Sequence, residues 1–184
     1  MRISVTLGLA LMLLAACKTE PATTEQQPAT EAAAKTEETA LPMDVAYKGE
    51  ASIGSRENMA VVMNWNKSLA EKNPAAAAAL LADSVEVTLA DGSYFKTTRD
   101  SLMSVVTNMI NSYDTVKVDF VALLPVNVKT DKGTDEWVFS WTDEKYSNAK
   151  GKEHNNIHED YLIKNGKIAV VFQYAQKPPA PAGK

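Results

Sequence analysis

Residues 154–174 read HNNIHEDYLIKNGKIAVVFQY. Asn165-Gly166 is a strong two-residue hairpin signal, because both residue types tolerate the positive φ that a type I′ turn demands. A turn there pairs Lys164 with Lys167 and Ile163 with Ile168. Continued outward, the ladder sets Leu162 against Ala169, Tyr161 against Val170, Asp160 against Val171, Glu159 against Phe172, His158 against Gln173 and Ile157 against Tyr174. Directly paired residues share a face. One face therefore holds Ile157, Glu159, Tyr161, Ile163, Ile168, Val170, Phe172 and Tyr174; the other holds His158, Asp160, Leu162, Ala169, Val171 and Gln173. The first face is the core, and Glu159 is its one acid.

A carboxylate on an apolar face is costly unless it is hydrogen-bonded, paired or neutralised by a raised pKa. Two settings relieve that cost. Glu159 either sits at a rim, reaching water or a lysine, or serves as the polar anchor of a mainly apolar pocket. Sliding the register by one residue turns His158 inward as a candidate base, but it also brings Asp160 into the core and expels Ile157, Tyr161 and Ile163. That exchange is unfavourable. His154 and His158 lie on one strand face roughly 13 Å apart, at about 3.3 Å per residue. They cannot share an ion at metal–nitrogen distances of about 2 Å, so no metal site is expected.

The rest of the chain supplies the layers around this hairpin. Ser55 caps a helix running to about Lys72, with Met59, Val62, Trp65 (or Asn66) and Leu69 near helical spacing. Asn73-Pro74 opens a short alanine-rich helix, and SVEVTLADG alternates as a strand that turns at Asp91-Gly92. TTRD (97–100) matches a capping box, with Thr97 and Asp100 as its reciprocal pair, ahead of an amphipathic helix through Leu102, Val105, Val106, Met109, Ile110 and Tyr113. From Thr115 the period becomes that of strands: VKVDFVALLPVNVK, with Pro125 at a bulge or edge, then EWVFSWTDEKY with Trp137, Phe139 and Trp141 on one face, then the hairpin. The order ααβαββββ predicts an α+β fold, with three helices packed on a curved antiparallel sheet.

This element order, with LLADSVEVT after the second helix and YLIKNGKI in the last hairpin, resembles the SnoaL-like group of the nuclear-transport-factor-2-like superfamily over about residues 55–175. The resemblance implies a cone whose sheet wraps the helices around a pocket. The superfamily includes isomerases, cyclases, dehydratases, binding modules and dimerisation domains, so the fold does not decide the function. In its ketosteroid isomerase branch an acid on the strand before the last turn helps hold an enolate oxygen, and Glu159 stands near the matching place. Trp65 falls where that branch has a tyrosine, and Thr88 or Leu89 where it has its general-base aspartate. Isomerase chemistry is thereby disfavoured.

Ahead of this domain, Arg2 precedes an apolar run from Val5 to Ala16 and then Cys17. The run is too short for a membrane span of about 20 residues and has the shape of a secretory signal. Leu14-Ala15-Ala16-Cys17 resembles the bacterial lipobox, which implies removal of residues 1–16 and lipidation of Cys17. Residues 18–45 hold six acids, two lysines and few large apolar side chains, so residues 17–49 read as a lipidated cysteine and a disordered acidic tether. Residues 50–176 form the domain, and 177–184 (KPPAPAGK) a disordered tail. Lys18 lacks the aspartate that retains some lipoproteins at an inner membrane, favouring the outer one.

A net charge of −4 with no basic stripe argues against nucleic acid, and one cysteine excludes an internal disulfide. No phosphate loop, nucleophile elbow or other cofactor motif occurs. The expectation is a lipid-anchored envelope module, non-catalytic, binding either a partner in the envelope or a small apolar ligand among Glu159, Trp65, Tyr161, Phe172 and Trp141. Two alternatives stand beside it. One is an enzyme on a hydrophobic substrate with Glu159 as acid or base. The other is a homodimer built on the outer sheet face, where Leu162, Val171 and Ala169 are expected to lie exposed.

Overall fold

The computed structural model describes Met43 and residues 50–178. The segments expected to be a signal sequence, a lipidated Cys17 and an acidic tether lie almost wholly outside the described residues, as does most of the expected C-terminal tail.

The elements run β1 (Ala51–Ile53), α1 (Arg56–Ala70), α2 (Pro74–Ala78), β2 (Leu81–Thr88), β3 (Tyr94–Thr98), α3 (Arg99–Asn111), β4 (Thr115–Thr130), β5 (Gly133–Asn148), β6 (Gly151–Lys164) and β7 (Lys167–Gln176). The α+β class holds, and two short strands join the expected order. β1 is three exposed residues on the edge beside β4, too short to show a period. β3 completes a hairpin with β2 across Gly92, whose φ of 85° suits the turn. Its last residue, Thr98, also caps α3 by accepting from the Ser101 N–H at 3.3 Å; this replaces the expected Thr97–Asp100 box. Ser55 caps α1 through the Asn58 N–H, and Asn73 caps α2 through that of Ala76.

All strands lie in one sheet, in the order β1-β4-β5-β6-β7-β2-β3. It is mixed rather than purely antiparallel, because β2 runs parallel to β7. That pairing joins the first helical layer to the last hairpin and leaves β1 and β3 as edges. In β4 the irregularity falls between Phe120 and Ala122, upstream of Pro125. Pro125 sits instead where β1 ends, its carbonyl accepting from Gly54 N–H at 2.9 Å.

The hairpin turn forms as expected, with Asn165 at φ 53° and Gly166 at φ 70°. Lys164 pairs with Lys167 and Ile163 with Ile168. The ladder then slips by one at Ala169, so that Leu162 meets Val170, Tyr161 meets Val171, Asp160 meets Phe172, Glu159 meets Gln173 and His158 meets Tyr174. A bulge inserts one extra residue into one strand only. The inward set on β6 is therefore unchanged, while β7 beyond Ala169 is turned over. Val171 and Gln173 face the helices, and Phe172 and Tyr174 face away.

The core packs Val62 and Trp65 of α1 and Leu102 and Met103 of α3 against Leu81, Val85, Val138, Tyr161, Ile163 and Ile168 of the sheet. Burying side chains of this size removes roughly 1.5–3 kcal/mol each from the cost of ordering the chain. The outer face carries an aromatic row instead. Trp137 stacks on Phe139 and Phe172, and His158 meets Phe139, Trp141 and Tyr174. Leu162 is buried and Val171 points inward, so the expected outer patch of Leu162, Val171 and Ala169 does not form.

Candidate functional site

A cavity of about 240 Å³ lies between the concave face of the sheet, α1 and α3. Its walls are apolar: Val87 and Phe95 from the β2–β3 hairpin, Leu102, Val106 and Ile110 from α3, and Val118 from β4, among others. Val105 and Met109 line it too and are largely exposed, so the mouth opens along α3. A larger depression of about 750 Å³ beside Thr130, Lys132 and Lys164 is open and lined by charged turns.

The polar end of the cavity is built from β5, β6 and β7. Glu159 and Glu144 both reach it, and both are buried. Tyr161, on the same face two residues after Glu159, donates its hydroxyl to Oε2 of that carboxylate, and the Gln173 amide donates to Oε1 at 3.0 Å. Gln173 can do so because the Ala169 bulge sets it directly opposite Glu159. Behind them, Asn66 of α1 donates to the Tyr161 hydroxyl at 3.4 Å and to the Val62 carbonyl at 3.2 Å. Glu144 is held the same way one strand over. Tyr146 donates to its Oε2, and Thr142 to its Oε1 at 2.9 Å.

Burial pushes the Glu159 carboxyl from 4.5 up to about 7, and the charge of Glu144 adds to the rise. The hydrogen bonds from Tyr161 and Gln173 oppose it without cancelling it. Tyr161 and Tyr146 are both held well above the usual phenol range, first by burial and then by the carboxylate beside each. They are donors, locked in the protonated form.

Of the residues read from the sequence, Glu159 and Trp65 line the cavity, and Tyr161 lies behind Glu159, fully buried. Phe172 and Trp141 do not reach it. The bulge turns Phe172 outward onto Trp137, and Trp141 packs edge-on to His158 on the outer face. His158 also faces out, 2.5 Å from Asp160, while His154 sits 2.7 Å from Asp143. Glu144, Tyr146, Gln173 and Asn66 were missed. A signal for two of them was present: Glu144-Lys145-Tyr146 repeats the acid-x-Tyr spacing of Glu159-Asp160-Tyr161.

No family model and no curated protein matches the sequence. Solved structures do. An LEH-like epoxide hydrolase of M. tuberculosis superposes with a TM-score of 0.55 at 11% identity, over 66% of this chain and 84% of that one. A putative ketosteroid isomerase of Kribbella flavida gives 0.52 at 13%, over 72% and 87%. A protein of unknown function from Burkholderia pseudomallei, described as NTF2-like, gives 0.51 at 11%, over 65% and 91%. The fold is NTF2-like. At these identities the likeness fixes the architecture and nothing of the chemistry. In this chain the polar end of the cavity is a pair of buried glutamates, each bonded to the tyrosine two residues further along its strand.

Proposed function

We propose that this chain is a lipid-anchored envelope protein whose NTF2-like domain binds a small, mainly apolar molecule in the cavity above Glu159 and Glu144. The observation that carries the reading is an apolar cavity that ends on a hydrogen-bonded polar floor. A few convergent polar groups in a greasy cleft fix a ligand's orientation. Ligand pockets ordinarily run about 300–1,000 Å³, so the occupant here is small. Both carboxylates are already held by donors of the protein, which suits recognition better than turnover. Native mass spectrometry of the purified protein tests this. A bound species of low mass is expected in the wild type and absent from Val106→Trp, which fills the cavity. An empty wild type that also takes up no member of a small-molecule library ends the reading.

One observation favours a second, enzymatic reading. A carboxyl near pH 7 is matched to general acid–base work, and Glu159 lies there. The superposing proteins include one described as an epoxide hydrolase and one as a putative isomerase. On this reading Glu159→Gln abolishes turnover of a small epoxide or ketone. Unchanged turnover removes it. The anchor is tested separately: Cys17→Ser should lose incorporation of a labelled fatty acid and release the protein from membranes.

A further inference from the structure

The cavity's lining includes two carboxylates, Glu144 and Glu159, and no lysine, arginine or histidine. Among the described residues, ion pairs form at the surface and on the outer face, and none includes either glutamate. Their hydrogen-bond donors, Thr142, Tyr146, Tyr161 and Gln173, are all uncharged. Each carboxylate accepts two of these bonds, against roughly four acceptor positions on an ionised carboxylate. The floor therefore has spare acceptors, excess negative charge and no counter-charge.

From this imbalance we infer that the pocket selects a small organic cation, an ammonium head on a short apolar body. The inference rests on the proposed binding role and names the chemistry of its ligand. Buried charges are stable when they are paired, and here the protein supplies no partner. An ammonium carries three donors and no acceptor, which complements a floor that has acceptors left over. Its apolar body would lie against Leu102, Val106 and Val118, below the mouth at Val105 and Met109. A carboxylate or phosphate head would meet two acids at close range, a juxtaposition that discriminates strongly against like charge. In the free protein a proton held on Glu159 meets the same conflict, and an ammonium replaces that proton with a counter-ion.

Isothermal titration of the full chain at neutral pH with hexylammonium, hexanol and hexanoate tests the inference, because the three share one apolar body. Hexylammonium should bind at least about tenfold more tightly than hexanol, a difference of about 1.4 kcal/mol, and hexanoate should not bind. The double substitution Glu144→Gln with Glu159→Gln should bring the ammonium-to-alcohol ratio close to one. A melting curve shows whether that variant folds, and the three-ligand comparison on the wild type stands without it. Hexanol or hexanoate binding as tightly as hexylammonium overturns the cation inference while leaving an apolar pocket. Failure of all three overturns it as well, and native mass spectrometry then decides independently whether the cavity holds anything.

Discussion

The two faces of the β5–β6 ribbon carry the same device with opposite results. On the outer face Asp143 bonds to Lys145 and Asp160 to His158; on the inner face Glu144 bonds to Tyr146 and Glu159 to Tyr161. Every pair is two residues apart on one strand, which places both side chains on one face about 7 Å apart along it. Outside, the hydrogen bond from Lys145, and then that from His154, hold the Asp143 carboxyl below its ordinary range. Inside, burial and a second acid push Glu159 up to about 7. Spacing brings the groups together; water and the partner's charge decide whether the acid keeps a charge or a proton.

The largest way to break the inner arrangement is Tyr161→Ala. The ring is fully buried in the core, and its hydroxyl holds Glu159. Truncating a buried aromatic costs about 3–5 kcal/mol, which urea unfolding should register as a large fall in midpoint. A loss confined to a few tenths would mean that the ring is not part of the core.

Glu159→Gln should act in the other direction. Below pH 4.5 the carboxyl is protonated in both folded and unfolded chains, and its raised pKa has no effect on stability. Between there and about pH 7 the unfolded chain releases the proton first, so the folded wild type loses stability as the pH rises, and above about 7 the deficit is constant. A rise from 4.5 to about 7 corresponds to about 3 kcal/mol at that plateau. The glutamine variant should therefore gain on the wild type from pH 4 to 8 in parallel melting curves. A difference that does not change with pH would put the Glu159 pKa at its ordinary value.

How much of this was legible in the sequence varies by residue. The inward set of β6 was, because Ile157, Tyr161 and Ile163 bracket Glu159 with strict alternation and the Asn165-Gly166 turn is unambiguous. The facing set of β7 was not. IAVVF is apolar at every position, so nothing in it marks Ala169 as the residue left over, and a single bulge exchanges Phe172 for Gln173 on the inner face. That exchange hid one polar member of the floor. Glu144 was hidden differently: its strand reads as an aromatic face at Trp137, Phe139 and Trp141, and that face turned out to be the outer one. β1 was invisible because three edge residues have no period. The pairing of β2 with β7 joins elements far apart in the chain, which local patterns cannot show.

A smaller test sharpens the roles within the inner face. Thr142→Val keeps the volume of a buried residue but removes the donor at 2.9 Å to Glu144. Leaving a buried acceptor with one donor fewer costs about 1–3 kcal/mol. Because Glu144's charge is the second-largest cause of the rise at Glu159, an NMR titration of the Glu159 carboxyl should also move. Movement of stability without movement of that titration would show that the Thr142 bond holds Glu144 without altering the charge that Glu159 senses.

The smallest effect belongs to the outer face. Lys145→Ala removes the side chain bonded to Asp143, and Asp143 keeps His154 at 2.7 Å and access to water. Exposed pairs of this kind gain little, since water solvates each partner nearly as well alone and salt screens the remainder. The melting temperature should stay within error at physiological salt, while the Asp143 carboxyl should titrate closer to its ordinary value, because its largest depressing contact has gone. A small movement of the pKa, with a change in stability too small for a melting curve to register, is the signature of a solvated pair. If Lys145→Ala instead unfolds the protein as readily as Tyr161→Ala, the outer face is a covered interface, and the contrast between the two sides of the ribbon would have to be drawn from the assembly rather than from a single chain.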